Sequence, residues 1–318
     1  MELIIKTTGR CNFACNFCLA GKADIMHLEH VPDELTKIIG TLKPSVLIMN
    51  GGEPLLSGRD FFFELLDRYD GHVAIVSNLK DFYKRPEYWK DLFKHPRVSI
   101  TTSFQFGSGR RWDRETPYDV EKFKDVMTLF GQKVGYLPMF ISVISGENER
   151  FALDHVYLAK ELGTVCKLNP MLPLGISSET YPFYKMVDIW MEIKNRDLER
   201  YTDCNVQFYD GGCSFNTCLL CNSTIRVVFL DSSGHVRYSN CESKAMLGRY
   251  LDVDRESPTP CKQRIAPSDY VCKDCIQCRL CRLCNGCDIS RELNKKDPSY
   301  CSEMKKRESE ILKMGWFI

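Results

Sequence analysis

Cysteine placement constrains this chain more than any other feature. Of its 318 residues 17 are cysteine, and thirteen of those fall between Cys204 and Cys301. Cys11, Cys15 and Cys18 stand together near the start, and Cys166 is alone mid-chain. From Cys272 to Cys287 a cysteine recurs at every third residue, a spacing that no hydrophobic core requires. Disulfides would explain such density in an exported chain. The opening residues, MELIIKTTGRCNF, turn polar too soon for a signal peptide. No apolar run approaches the roughly 20 residues of a membrane-spanning helix. The expectation is a cytoplasmic chain, with no membrane partner, whose thiols hold metal or a redox cofactor. The formal net charge is only +1, so nucleic acid held by electrostatics is not expected.

The cysteine content changes sharply near residue 200, which predicts one domain over 1–200 and a smaller, metal-dense one over 201–318. Within the first, short apolar runs alternate with amphipathic stretches, the pattern of βα units around a parallel sheet. Strands are expected at Leu3 to Thr8, Val46 to Asn50, Val73 to Asn78, Val98 to Ser103, Met139 to Ile144 and Val165 to Asn169. Helices are expected at Pro32 to Leu42, Asp60 to Tyr69, Pro86 to Lys94, Val120 to Phe130 and Arg150 to Leu162. The fold class is therefore α/β, a partial (β/α)6 TIM-like barrel, with a cysteine-rich appendage made of a β-hairpin, loops and a closing helix. Chemistry in parallel barrels gathers at the C-terminal strand ends.

Directly after strand one comes Cys11-Asn-Phe-Ala-Cys15-Asn-Phe17-Cys18, a C-x3-C-x2-C loop. Three thiolates there can hold three irons of a [4Fe–4S] cubane and leave the fourth open. A zinc site with a distant fourth ligand, or reduced cysteines packed as small hydrophobes, would fit the spacing too. Strand two ends in Asn50-Gly51-Gly52-Glu53-Pro54, where glycines would let a backbone approach a ligand closely. These two motifs, in this order and at strand ends, resemble the signature of the radical S-adenosylmethionine (radical SAM) superfamily over roughly residues 1–175. The resemblance implies a cluster on Cys11, Cys15 and Cys18, with Phe17 beside it. It implies S-adenosyl-L-methionine bound near Gly51, Gly52, Glu53 and Pro54. Ser77 and Asn78 after strand three, and Ser103 and Gln105 after strand four, resemble the polar stretches near that cofactor. Leu168 to Gly175 resembles the strand end that packs near its adenine. The chemistry so implied is reductive cleavage of the sulfonium to a 5′-deoxyadenosyl radical that takes a substrate hydrogen atom.

The second cysteine region resembles the SPASM extension of such enzymes, which holds two auxiliary [4Fe–4S] clusters. Cys221, Gly234 and Cys241 bracket a strand–turn–strand stretch, and Cys275, Cys278, Cys284 and Cys287 lead on to Cys301. By that resemblance one cluster takes Cys221, Cys241 and Cys287 with Cys213 or Cys218. The other takes Cys275, Cys278, Cys284 and Cys301. Two departures stand: Gly234 to Cys241 is longer than the usual pattern, and Cys284 to Cys287 is one residue short. Cys204, Cys261, Cys272 and Cys281 are surplus. A zinc ribbon or a ferredoxin-like insert also suits C-x2-C pairs. Glu242, directly after Cys241, matches an acidic residue thought to deprotonate substrate in dehydrogenating members. Cys166 reads as core or as a hydrogen-atom donor, and Arg110 to Arg114 as a solvated loop or an anion clamp.

The resemblance implies a radical SAM oxidoreductase that oxidises or crosslinks a peptide or protein side chain, supplied with electrons by a flavodoxin or ferredoxin. Strand one is expected from residue 3, so no leader-recognition domain is expected ahead of the barrel. A small-molecule substrate such as a sugar or nucleotide therefore stays open, as does redox-neutral epimerisation. A non-catalytic iron–sulfur carrier is the alternative of another class.

Overall fold

The computed structural model of the chain describes residues 1–107, 109–172, 176–202, 225–239, 248, 298–307 and 309. Eight strands form one sheet: β1 (Glu2–Lys6), β2 (Val46–Asn50), β3 (His72–Val76), β4 (Val98–Ser103), β5 (Met139–Ile144), β6 (Cys166–Pro170), β7 (Ile225–Leu230) and β8 (Val236–Ser239). Their order is β6-β5-β4-β3-β2-β1-β7-β8. From β1 to β5 each strand pairs in parallel with the next, as expected for βα units. The α/β architecture around a parallel sheet expected from the alternation is what the chain forms.

Burial alternates along the strands, so the two faces of the sheet differ. In β2 the side chains of Leu47 and Met49 are fully buried, while Val46, Ile48 and Asn50 between them are half-buried. β3 and β4 alternate in the same way, and parallel register keeps the sets aligned across the sheet: Ile4 opposite Ile48, Ile48 opposite Ala74 and Ala74 opposite Ser99. Ile48 packs against a cluster of Ile4, Ile25, Val227 and Phe229 on this face. Polar residues occupy the same face at the C-terminal ends, where Asn50 and Ser103 close β2 and β4.

The helices are α1 (Asp33–Leu42), α2 (Arg59–Arg68), α3 (Lys80–Lys84), α4 (Pro86–Phe93), α5 (Val120–Val134), α6 (Ala152–Leu162), α7 (Phe183–Asn195) and, late in the chain, α8 (Tyr300–Lys306). Asp119 caps α5 by accepting from the Lys122 N–H at 2.9 Å. That helix runs past the end expected at Phe130, because Gly131 continues it and the stop is Gly135, in the left-handed region at φ 100°. The five-residue α3 is too short to show a period and was not expected. α7 was not expected either, although Met186, Val187, Trp190 and Ile193 are buried on one stripe.

The hairpin β7–β8 was grouped by its sequence with the cysteine-rich segment. Its backbone instead joins the N-terminal sheet: β7 lies parallel to β1, Glu2 opposite Ile225 through Ile5 opposite Val228, and β8 returns antiparallel. The chain divides into two compact units, the first built on Met1–Ile141 with this hairpin. In the second unit α6 packs on α7, and Arg307 at the end of α8 grips Asp188 of α7 with bonds of 2.5 and 2.6 Å. No helix among the described residues is long and apolar enough to cross a membrane.

Candidate active site at the strand ends

Hydrogen bonding does not stop where β1 and β2 end. Thr7 N–H donates to Asn50 O at 3.0 Å, Gly52 N–H to Thr8 O at 2.7 Å, and Glu53 N–H to Arg10 O at 2.8 Å. The GGEP turn therefore zips directly onto the entry of the cysteine loop. The glycines make this possible: Gly51 sits at φ 145° with Thr8 O only 2.5 Å from where a Cβ would be, and a Cβ on Gly52 would run into the Arg10 carbonyl.

Glu53 then ties this pair of loops to the end of β3. Its carboxylate accepts from Ser77 Oγ–H at 2.7 Å, Asn78 N–H at 2.8 Å and Leu55 N–H at 3.1 Å, and the residue is 1 % exposed. Burial pushes its carboxyl up to about 7, against three donors that favour the ionised form.

Asn78 and Lys80 reach back to the cysteines. Asn78 Nδ2 donates to Asn12 Oδ1 at 2.8 Å and lies 3.7 Å from Cys11 Sγ, which also accepts from Phe13 N–H at 3.4 Å. Lys80 Nζ donates to Asn12 O at 3.0 Å and to Trp112 O. From the other side, the loop after β4 runs along the cysteine loop, with Ala14 N–H donating to Arg111 O and Asn16 N–H to Gly109 O. Arg110 donates to Ser103 Oγ at 2.8 Å and lays its guanidinium over the Phe17 ring, 5.2 Å from the centroid.

Cys11 is exposed and Cys15 and Cys18 are half-buried, all three as thiols outside any disulfide. Although Cys11 as a residue reaches solvent, the protein atoms crowding its sulfur and then the Glu53 carboxylate push the thiol up to about 12; burial likewise raises Cys18, with Arg110 pulling the other way. Such thiols stay neutral until a metal displaces the proton. Among the described residues no three His, Cys, Asp or Glu groups converge on a single ion, and thiolates on separate corners of a cubane stand further apart than ligands of one ion. Beside the loop, Gln105 Oε1 and Arg110 Nε are buried without a hydrogen-bond partner. Three soft sulfur donors on one loop, with unspent polar atoms next to it, fit an iron–sulfur cluster and a polar cofactor.

The structure thus brings together Cys11, Cys15, Cys18, Phe17, Gly51, Gly52, Glu53, Asn78, Ser103 and Gln105, with Pro54 opening a buried 3-10 turn behind Glu53. Lys80, Asn12 and Trp112 join them without any sequence signal beyond their neighbours. Cys166 is buried in β6, and Cys301 is exposed on α8. Cys213, Cys218, Cys221, Cys241, Glu242, Cys275, Cys278, Cys284 and Cys287 lie outside the described residues.

Residues 5–156 match the family model described as Radical SAM superfamily. No curated protein matches the chain. Among solved structures, "Native anSMEcpe with bound AdoMet" aligns with a TM-score of 0.70 at 16% identity, over 98% of this chain and 97% of that one. "Native anSMEcpe with bound AdoMet and Cp18Cys peptide" gives 0.66 at 16%, over 98% and 97%. "Native anSMEcpe with bound AdoMet and Kp18Cys peptide" gives 0.65 at 17%, over 100% and 99%. At such identities the likeness is one of fold.

Proposed function

We propose, from the match of residues 5–156 to the Radical SAM superfamily model and from the sulfur loop at the strand ends, that the chain is a radical SAM enzyme that oxidises a C–H bond of its substrate. One observation carries the reading: three thiols share a single loop that Gly52, Glu53, Asn78 and Lys80 bind to the ends of neighbouring parallel strands. Cys11, Cys15 and Cys18 would hold a [4Fe–4S] cluster, and S-adenosyl-L-methionine would lie against Gly51 and Gly52. Loaded together, these groups supply one-electron cleavage of a sulfonium and a radical able to take a hydrogen atom. The chain's own residues do the rest. The two glycines keep side chains out of the approach, and Glu53 fixes the Ser77–Asn78 turn. Arg110 places a cation beside Cys18 and Phe17, suited to a carboxylate or to the negative charge of a reduced cluster.

The substrate we favour is a peptide or protein side chain. Support comes from the near-complete fold alignment with anSMEcpe, whose structures include ones with a Cp18Cys or Kp18Cys peptide bound. The segment 201–318 we read as a SPASM-like domain with two auxiliary clusters. Cys213 or Cys218, Cys221, Cys241 and Cys287 would serve one, and Cys275, Cys278, Cys284 and Cys301 the other. Glu242 would be the base that deprotonates substrate, and a flavodoxin or ferredoxin the reductant.

Anaerobic reconstitution with iron and sulfide, then dithionite and S-adenosylmethionine, tests the core of this. The expected products are 5′-deoxyadenosine and methionine in equal amounts, lost in Cys15→Ala. A wild-type chain that binds iron yet releases neither would overturn it.

A further inference from the structure

Lys80 is 7 % exposed and its ammonium is aimed at the cysteine loop. The residue before it, Leu79, is a fully buried leucine held at φ 60°, in the left-handed region. That conformation costs a non-glycine residue on the order of 1–3 kcal/mol and persists only where the surroundings impose it. Here they do so by hydrogen bonds: Leu79 N–H to Ser77 Oγ at 2.9 Å, and Lys80 N–H to Asn78 Oδ1 at 2.9 Å. The strained turn sends the side chains on either side of Leu79, those of Asn78 and Lys80, to one loop. Asn78 meets the side chain of Asn12 and the sulfur of Cys11; Lys80 meets the backbone carbonyl of Asn12. The same ammonium also bonds Trp112 O and lies over the rings of Phe13, at 5.8 Å, and Trp112, at 5.1 Å. Asn12 and Phe13 are the two residues that follow Cys11.

We propose that Lys80 is a positioning residue that locks the Cys11–Cys15 backbone against the loop after β4. Through its buried charge it makes the group held by those cysteines easier to reduce. A cation next to a cluster favours the more negative, reduced form, as do N–H groups directed at its sulfurs. The second half rests on the cluster reading above; the first half does not, because the clamp is built from protein atoms alone.

Two measurements on the full-length chain separate them. In metal-free protein, hydrogen exchange of amides 11–16 should be at least about tenfold faster in Lys80→Met than in wild type. Amides of Ile75 and Ile100 should be unchanged, and Lys80→Arg should recover most of the protection. In reconstituted protein, potentiometric titration followed by electron paramagnetic resonance should show the cluster of Lys80→Met about tenfold harder to reduce, ~59 mV for one electron, with Lys80→Arg near wild type. Wild-type exchange and a wild-type midpoint in Lys80→Met would overturn the proposal, and faster exchange with an unmoved midpoint would overturn its electrostatic half. A wild-type chain that takes up no cluster, while Lys80→Met still loosens residues 11–16, would support the clamp and sink the enzyme reading instead.

Discussion

Three donors converge on the Glu53 carboxylate, and two of them are backbone N–H groups that cannot turn elsewhere. Glu53→Ala should leave the N–H groups of Leu55 and Asn78 buried and unsatisfied, a loss of about 2–5 kcal/mol. Urea unfolding of the metal-free protein would measure it, and a loss under ~1 kcal/mol would show that another acceptor moves in. Gly52→Ala acts on the opposite side of the same junction, where the added methyl meets the Arg10 carbonyl one residue before Cys11. The loop has to shift away from β2, so iron bound per chain after reconstitution should drop severalfold. Full iron uptake would mean that the zipper between the GGEP turn and the cysteine loop can open harmlessly.

At the scale of elements, the hairpin is the part whose place matters most. Its turn is held by Asp231, which accepts from Ser233 N–H and His235 N–H at 3.0 Å each and from Arg237 Nε–H at 2.8 Å. Its first strand buries Val227 and Phe229 against Ile4 and Ile25. Phe229→Ala should therefore destabilise the fold by about 3–5 kcal/mol, read as a lowered thermal midpoint. A midpoint within a degree or two of wild type would show that β7 adds little to the sheet. The strand–turn–strand pattern itself was plain in the sequence, from apolar runs either side of Ser232-Ser233-Gly234. Its parallel partner was not, because alternation names the face a strand buries and says nothing about which distant strand lies beside it. Expected strand limits fell within a residue or two for the same reason that α3 was missed: side-chain period marks the middle of an element, while ends are set by backbone bonds.

For the whole molecule, the proposed division of labour separates cleavage from substrate oxidation. Replacing Cys275 and Cys278 with Ala should remove one cluster's worth of iron and stop product formation, while 5′-deoxyadenosine is still released. Unchanged iron would show that a different set of cysteines ligates. Turnover in deuterated water addresses the direction of chemistry. The oxidative reading expects a product lighter by two hydrogens and no solvent deuterium at the reacting carbon, whereas deuterium gained without that mass loss would identify an epimerase.

The sequence alone determined the C-x3-C-x2-C loop, the GGEP turn after strand two and the βα alternation that puts both at one end of a parallel sheet. These are local matters, settled by spacing, glycine and side-chain period between near neighbours. Only the tertiary structure decided that Glu53 faces Ser77 and Asn78, that Lys80 holds the Asn12 carbonyl and that β7 extends the sheet beyond β1. Each of those is a choice among many chemically equivalent donors and acceptors, and it is made by which strand ends fold side by side.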